Sequence, residues 1–531
     1  MNRYKLSLFA LFLAFVVVVG GMSRVASAEN HPPLHPDIEL LDKDGQNVLD
    51  SGQPLSTEQT CGTCHDTEFI STHSNHAEYM LRTDSLPRYP GNAPEQVDVT
   101  AVEMNCLTCH TANPNNAERL AALAAGNYDL ATMATLLGTD IVDQSLAWNR
   151  AVFTEDGRIS ADTLTLQDPT NNNCAQCHGL VHDEVETPLV EASCTSDAPL
   201  TLQSGAIMSP QRIAQSGLNV SGKDALSRSF DVHSERVVGC TECHYSLNNP
   251  VYQHDDKASQ PDHLSFDPRR LDIDAYLYRP IHDVATKESA ELACTSCHNP
   301  EPSHDWLPYL DQHLSALACE TCHIPKLYAP AQERVDWTVL QAANTPVSSC
   351  RGIESQAGSA DLITGYQPVL LTNAEDKLAP YNLITAYFWV DGEDQTPVAL
   401  EDVNAAYFDG TDYRSDVLSV FDTNGDGRLS KAELVIDSAE KTARISANLN
   451  KLGYASPAIK GEVEPIAINH NVAESEWAVR DCNACHGEKS RITQALPLGN
   501  NTPNDVLPTL SGDTLQGNLH VDTDGMLFYQ P

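Results

Sequence analysis

The longest apolar stretch in the chain is its first, running from Leu6 to about Gly21 behind Arg3 and Lys5 and followed by the small residues Ala26, Ser27 and Ala28. A basic start, an apolar middle and a small-residue exit predict a cleaved secretory segment over residues 1–28. A retained anchor is the competing reading, but the run is shorter than the roughly 20 residues a spanning helix needs. No Cys follows it to carry a lipid, and no later run is as apolar. Beyond it, strict period-2 alternation is scarce and Pro and Asn are frequent, which predicts short helices, long loops and little sheet. Helical spacing of Ala and Leu is clearest at 115–137, and further helices are expected at 305–318 and 398–408. Val417, Leu418 and Phe421 form an apolar stripe before an Asp/Gly-rich stretch, and a second helical pattern starts at Leu434. The expected fold class is mainly α with much irregular structure.

Composition changes this picture in two ways. With 73 acidic against 32 basic residues the formal charge is -41, which makes nucleic acid an unfavourable partner. At 41% hydrophobic and 20% charged residues the chain is nevertheless globular rather than a disordered acidic tail. Only 6% of residues are aromatic, so another apolar material is needed to fill a core of this size.

The 16 cysteines identify that material. CxxCH occurs seven times: Cys61/Cys64/His65, Cys106/Cys109/His110, Cys174/Cys177/His178, Cys240/Cys243/His244, Cys294/Cys297/His298, Cys319/Cys322/His323 and Cys482/Cys485/His486. Chance would supply roughly 0.02 such motifs in this length. Two thiols three positions apart share one side of a helical turn and can add to the two vinyl groups of a haem, and the following His reaches the iron as proximal ligand. Zinc is the competing reading of Cys and His at such spacings, but zinc sites need paired half-sites. Cys194 and Cys350 remain outside the motifs. In an oxidising compartment they are expected to form a disulfide, with a free thiol near a haem as the alternative.

Through "TCGTCHDTEFISTHSNH", "MNCLTCHTANPNN", "LACETCHIPKLYAPA" and "DCNACHG", the chain from about Leu40 onward resembles the bacterial secreted multihaem c-type cytochromes. The resemblance implies seven haem c groups packed as the core, attachment by a cytochrome c maturation apparatus, and work in the periplasm or outside the cell. Function then turns on the sixth position of each iron. Seven of the 20 histidines are proximal, leaving 13. His73, His76, His182, His233, His282, His304, His313 and His470 lie close to motifs and are the expected distal ligands. His31, His35 and His520, near the termini, are expected to be ordinary surface or core residues. Enough histidines are present to close every haem, which favours electron transfer through mostly bis-His haems. Two alternatives stand: a reductase of a small nitrogen or sulfur oxyanion at one open haem, and a subunit of a conducting filament. No CxxCK motif is present, and an acidic surface does not gather anions.

Between Cys322 and Cys482 the motif spacing widens to 160 residues. Inside it, "DTNGDGRLSKAE" matches the twelve-residue EF-hand loop, with Asp422, Asn424, Asp426, Arg428 through its carbonyl, Ser430 and Glu433 as calcium ligands and Gly427 at the sharp turn. A degenerate second hand is conceivable from Asp391, although Thr396 stands where Gly belongs. The expected organisation is residues 1–28 as signal segment, 29–345 as a region with six haem motifs, 346–481 as an insert carrying the EF-hand, and 482–531 as the seventh motif and tail. Losing Arg3, Lys5 and Arg24 takes the charge to about -44, and haem propionates add up to about 14 more. A redox partner protein is therefore expected to dock through a basic patch, with association that slows as salt rises. Membrane contact is expected only if the N-terminal segment is retained, or through a membrane-bound redox partner.

Overall fold

In the computed structural model, a run with no polar/apolar alternation, "LAPYNLITAYFWVD", forms a 14-residue strand, Leu378–Asp391, at the centre of a seven-stranded sheet. The structure describes residues 35–531 except 66, 74–102, 126, 179, 190–193, 195–200, 244–293, 297, 343, 354–362, 475, 501 and 512–514. The signal segment thus lies outside the described residues. Among the described residues no helix is long and apolar enough to cross a membrane.

The sheet comprises β1 (Ala331–Leu340), β2 (Pro346–Arg351), β3 (Val369–Thr372), β4 (Leu378–Asp391), β5 (Thr396–Pro397), β6 (Pro457–Ala467) and, after the separate strand β7 (Leu496–Asn500), β8 (Thr509–Leu510). Its order is β8-β6-β4-β1-β2, with β3 and β5 also paired to β4. β6 runs antiparallel to β4 from Pro457 opposite Asp391 to Ala467 opposite Tyr381, and β1 runs parallel to β4 from Arg334 opposite Thr385 to Asp336 opposite Tyr387. β7 joins β9 (Asn518–Val521) and β10 (Met526–Gln530) in a three-stranded antiparallel sheet.

The expectation of a mainly α chain with little sheet is therefore wrong: the fold is mixed α/β, with several sheets. Alternation marks a strand with one wet face, whereas β1 and β4 bury consecutive residues on both faces, β1 nearly all of its residues, Arg334, Asp336 and Thr338 among them, and β4 the runs Asn382–Thr385 and Tyr387–Val390. The sheet also crosses the boundary drawn at 345/346, because β1 precedes it, and it takes β8 from the tail.

Three of the expected helices are present in shorter form. Residues 115–137 hold two, α1 (Asn116–Ala124) and α2 (Tyr128–Ala134), while α3 (Leu310–Ala316) and α4 (Leu400–Tyr407) stand inside the other two ranges. Then follow α5 (Ser415–Phe421) and α6 (Ala439–Lys451). These last three pack on the sheet around Trp337, Phe388, Trp389, Tyr407 and Phe421. Trp389 Nε1 and Tyr407 Oη both donate to the Thr338 carbonyl, at 3.0 and 2.8 Å. Aromatic side chains thus supply much of the core of this unit. The sheet in turn anchors a CxxCH motif: Ala318 N donates to Leu378 O at 2.9 Å, so the start of β4 holds the Cys319–His323 helix.

Candidate functional site

The described motifs sit on short turns of chain, as attachment of two thiols to one macrocycle requires. Asn105 caps Cys106–His110 by accepting from Leu107 N at 3.1 Å, and Asn171–His178, Cys240–Cys243 and Cys319–His323 are likewise helical. In the last motif Cys482 stands at the N-cap of the helix Asn483–His486.

The first motif departs from the helical turn expected for it. Its helix, Thr57–Gly62, contains Cys61 but ends before Cys64, which lies half-buried in the turn that follows. The reason is the next segment: Thr67 N donates to His65 O at 2.9 Å and Thr67 Oγ1 to Glu58 O at 3.3 Å, folding the chain back over Gly62. Cys64 keeps its place relative to Cys61 through hydrogen bonds instead, with Cys64 N donating to Cys61 O at 3.0 Å and the Cys64 sulfur accepting from Thr63 Oγ1 at 3.8 Å. In the first, fifth and seventh motifs the His N–H donates back to the first Cys carbonyl at 2.8–2.9 Å, closing the turn. His65 and His178 are described at the ends of their motifs, whereas His244 and Cys297 lie outside the described residues, as does the Cys243 side chain.

Motifs distant in sequence are brought together in consecutive order. The first cysteines meet as Cys61 with Cys106, Cys174 with Cys240, and Cys294 with Cys319, each pair in hydrogen-bond contact. Cys109 lies within electrostatic reach of Cys174 and Cys177, and Cys322 within reach of Cys485. The fourth and fifth motifs are linked by His233, shortly before Cys240, whose ring faces that of His298. Burial holds the Cys109 thiol up at about 12 and also raises Cys177, Cys322 and Cys485. Among the described residues no three His, Cys, Asp or Glu converge as a metal site.

The histidine geometry is more telling. A metal–imidazole bond of about 2.0–2.1 Å, with the ring centre ~1.1 Å behind the nitrogen, puts two rings on one iron about 6.3 Å apart between centres. Three CxxCH histidines face a histidine expected as a distal ligand at that separation: His298 with His233 at 6.1 Å, His323 with His304 at 6.0 Å, and His486 with His313 at 6.2 Å. The other ring nitrogen is tied back in each distal residue. His304 Nδ1 donates to Pro300 O at 2.8 Å, His313 Nδ1 to Tyr309 O at 3.1 Å, and His233 Nδ1 faces Asp231 Oδ1 at 3.4 Å. His323 Nδ1 similarly donates to Ala473 O at 3.1 Å and His110 Nδ1 to Gln167 O at 3.2 Å. Each arrangement leaves Nε2 for a metal, and backbone or carboxylate partners of this kind orient metal-bound imidazoles.

Of the remaining expected distal ligands, half-buried His470 lies within electrostatic reach of Asp231 and His233, its basicity lowered by desolvation, and His182 Nδ1 lies 3.0 Å from Ser209 Oγ. His76, His282 and the side chain of His73 lie outside the described residues. His520 stacks on Phe528 at 5.5 Å. His35, set aside in the sequence reading for its terminal position, lies within electrostatic reach of His110. No local spacing could have marked it, because the two are far apart in sequence.

Three other features were not legible. Arg119 lies within electrostatic reach of Cys177 and Cys109, and Arg491, donating to Thr321 O at 2.7 Å, lies within reach of Cys485 and Cys322. Both are buried cations at junctions between motifs. Val237 and Tyr309 are 86% and 76% exposed in left-handed backbone (φ 63° and 55°), each beside a facing histidine. A β-branched or bulky residue rarely adopts that backbone.

Cys194 and Cys350 are joined as a disulfide with Cα atoms 5.7 Å apart.

In the Asp422–Glu433 loop, Gly427 takes φ 78°, as the sharp turn at that position requires. Asp422 Oδ2 accepts from Gly427 N and Asn424 Oδ1 from Asp426 N, both at 2.8 Å. Glu433 reaches back across the loop, accepting from Thr423 N and Ser430 N at 3.0 Å. These bonds, those from Ser430 above all, hold its carboxyl down at about 2. The exit differs from expectation: residues 434–436 are not helical, and α6 starts only at Ala439, where Ser438 caps it by accepting from Lys441 N. Buried Lys441 donates to the carbonyls of Glu433 and Val435, holding this stretch irregular. The second hand considered from Asp391 is a strand turn, since Asp391 pairs with Thr396 and Val390 with Pro397.

No family model matches the chain, and no curated protein matches it. Among solved structures, an octahaem cytochrome c from Shewanella oneidensis aligns at 14% identity over 76% of this chain and 77% of that one, with a TM-score of 0.33, a likeness too loose to carry an argument.

Proposed function

We propose that the protein is an extracytoplasmic electron carrier holding seven covalently bound c-type haems in one relay. The carrying observation is the spacing of the three facing histidine pairs, each joining one CxxCH histidine to one of a different segment. The contacts between motifs support an order that follows the chain from the first haem to the seventh. Haems supply the redox chemistry when bound. The protein's share is to hold two imidazoles per iron with their Nδ1 atoms tied back, to exclude water, and to bring successive motifs into contact. No acid or base is needed for such transfer, so we assign no catalytic residue. The disulfide and the N-terminal apolar segment both accord with an oxidising compartment. A basic redox protein is the partner the charge of the chain favours.

The Asp422–Glu433 loop is proposed as a structural calcium site, supported by the ligand pattern and by φ at Gly427. Asp422, Asn424, Asp426, Ser430 and Glu433 would supply side-chain oxygens and Arg428 its carbonyl; the Asp422, Asn424 and Asp426 oxygens each accept one loop hydrogen bond and keep a further lone pair, whereas the Glu433 oxygens would give up bonds from Thr423, Asn424 and Ser430 in favour of the cation.

Intact mass of the purified protein with spin-state spectroscopy tests the main reading. Seven haems, nearly all low-spin, are expected. A substantial high-spin fraction together with turnover of nitrite, hydroxylamine or tetrathionate would replace the carrier by the reductase.

A further inference from the structure

Residues 471–473 tie two of the proposed haem sites together through one buried carboxylate. Asp231, 2% exposed, caps the short helix Val232–Glu235, its Oδ1 accepting from His233 N at 2.8 Å and Ser234 N at 3.4 Å. Its Oδ2 accepts from Asn471 N at 2.8 Å and Val472 N at 3.0 Å, and Val232 N donates to Val472 O at 2.9 Å. One residue further, Ala473 N donates to His323 O at 2.7 Å while its carbonyl receives His323 Nδ1. The same carboxylate faces His233 Nδ1, on the ring that stands 6.1 Å from His298.

We propose that Asp231 sets the reduction potential of the haem held between His233 and His298, acting as a positioning residue through His233. The proposal rests on the haem reading above. Four backbone N–H groups fix the carboxylate in place, so its distance to the imidazole cannot relax. A carboxylate bonded to the outer nitrogen of an axial imidazole makes that imidazole a stronger donor and stabilises ferric over ferrous iron. Its charge, kept out of water, acts in the same direction. This haem therefore lies among the lower potentials of the seven. The strap 471–473 also carries any movement at Asp231 to His323, the proximal ligand of the next haem.

The test is potentiometric titration of the full holoprotein and its variants, with haem content by mass. Asp231→Asn should raise the midpoint of one haem and leave the others close to their original values, whereas Asp231→Glu, which keeps the charge, should leave the midpoint much nearer the original. Equal shifts in both variants, or none in either, would assign Asp231 to packing alone. A second measurement stands if Asp231→Asn does not accumulate. The haem whose low-spin signal is lost in His233→Ala must titrate in the lower half of the seven midpoints of the unaltered protein, and a place in the upper half overturns the proposal. A protein without seven haems sinks the haem reading itself, while seven low-spin haems with an unmoved midpoint sink only the role of Asp231.

Discussion

Replacing His304 by Ala tests the ligand geometry at a single iron. The His304 and His323 ring centres are 6.0 Å apart at 78°, and each Nδ1 is committed to a backbone carbonyl, so neither ring can turn to offer that nitrogen instead. The separation agrees with the about 6.3 Å required of two imidazoles on one iron to within the scatter of such bonds. Alanine opens the sixth position of that haem alone, so roughly one-seventh of the iron should pass from low to high spin. The thioethers at Cys319 and Cys322 and the proximal bond from His323 are untouched, and the haem count should stay at seven. Electron paramagnetic resonance of the oxidised protein, integrated against total haem iron, measures the fraction. His520→Ala removes a surface ring stacked on Phe528 and serves as control, with no change expected. A fully low-spin His304→Ala protein carrying seven haems would refute the pairing. Equal disturbance of all the haems would show that His304 acts on folding instead.

Chelating calcium from the native protein should lower its Tm and leave the haem spectrum intact, and Glu433→Gln should remove that sensitivity; a Tm indifferent to chelator would exclude a structural calcium. The Cys194–Cys350 bond spans 156 residues, for which chain entropy allows up to about 5 kcal/mol of stabilisation. The double Cys→Ser variant should therefore unfold at clearly lower denaturant, and an unchanged midpoint would locate the constraint elsewhere. Burial raises the Asp336 carboxyl above its usual range, against the opposing pull of Arg334. The native state then binds its proton more readily than the unfolded chain, so this contribution to stability is full below the unfolded value near 3.8 and is lost as pH rises through the folded one. Asp336→Asn should flatten that part of the stability–pH curve relative to the unaltered protein, and parallel curves would contradict the assignment.

Cysteine and histidine spacing is visible in one dimension because haem attachment is chemistry between near neighbours. The same holds for the twelve-residue loop from Asp422 to Glu433, where the proposed ligands follow one another along a single turn. The distal partners depend on folding instead. Nothing local joins His313 to His486, and His35, set aside for its place near the terminus, comes within electrostatic reach of His110 only through the fold. The sheet was hidden for a different cause: β1 and β4 are covered on both faces, and charged residues such as Arg334 and Asp336 are buried inside them, which erases the alternation by which strands are recognised. The exit of the Asp422–Glu433 loop departs from the expected helix because apolar Leu434 and Ile436 face the core from irregular backbone, with Lys441 satisfying the freed carbonyls. Cys64 falls outside its expected helix for a similar reason, since Thr67 bonds back to Glu58 and His65 and ends the helix at Gly62.

By itself the sequence determined the seven CxxCH motifs, from which the proposed attachment points and proximal ligands follow, and the excess of negative charge, since each is a property of residue type and short spacing. The tertiary structure alone decided which histidine faces which across an iron-sized gap, which motifs touch, and where a buried carboxylate such as Asp231 meets an axial ring. Those relations join segments tens to hundreds of residues apart, and burial and hydrogen bonding, rather than spacing, bring them together.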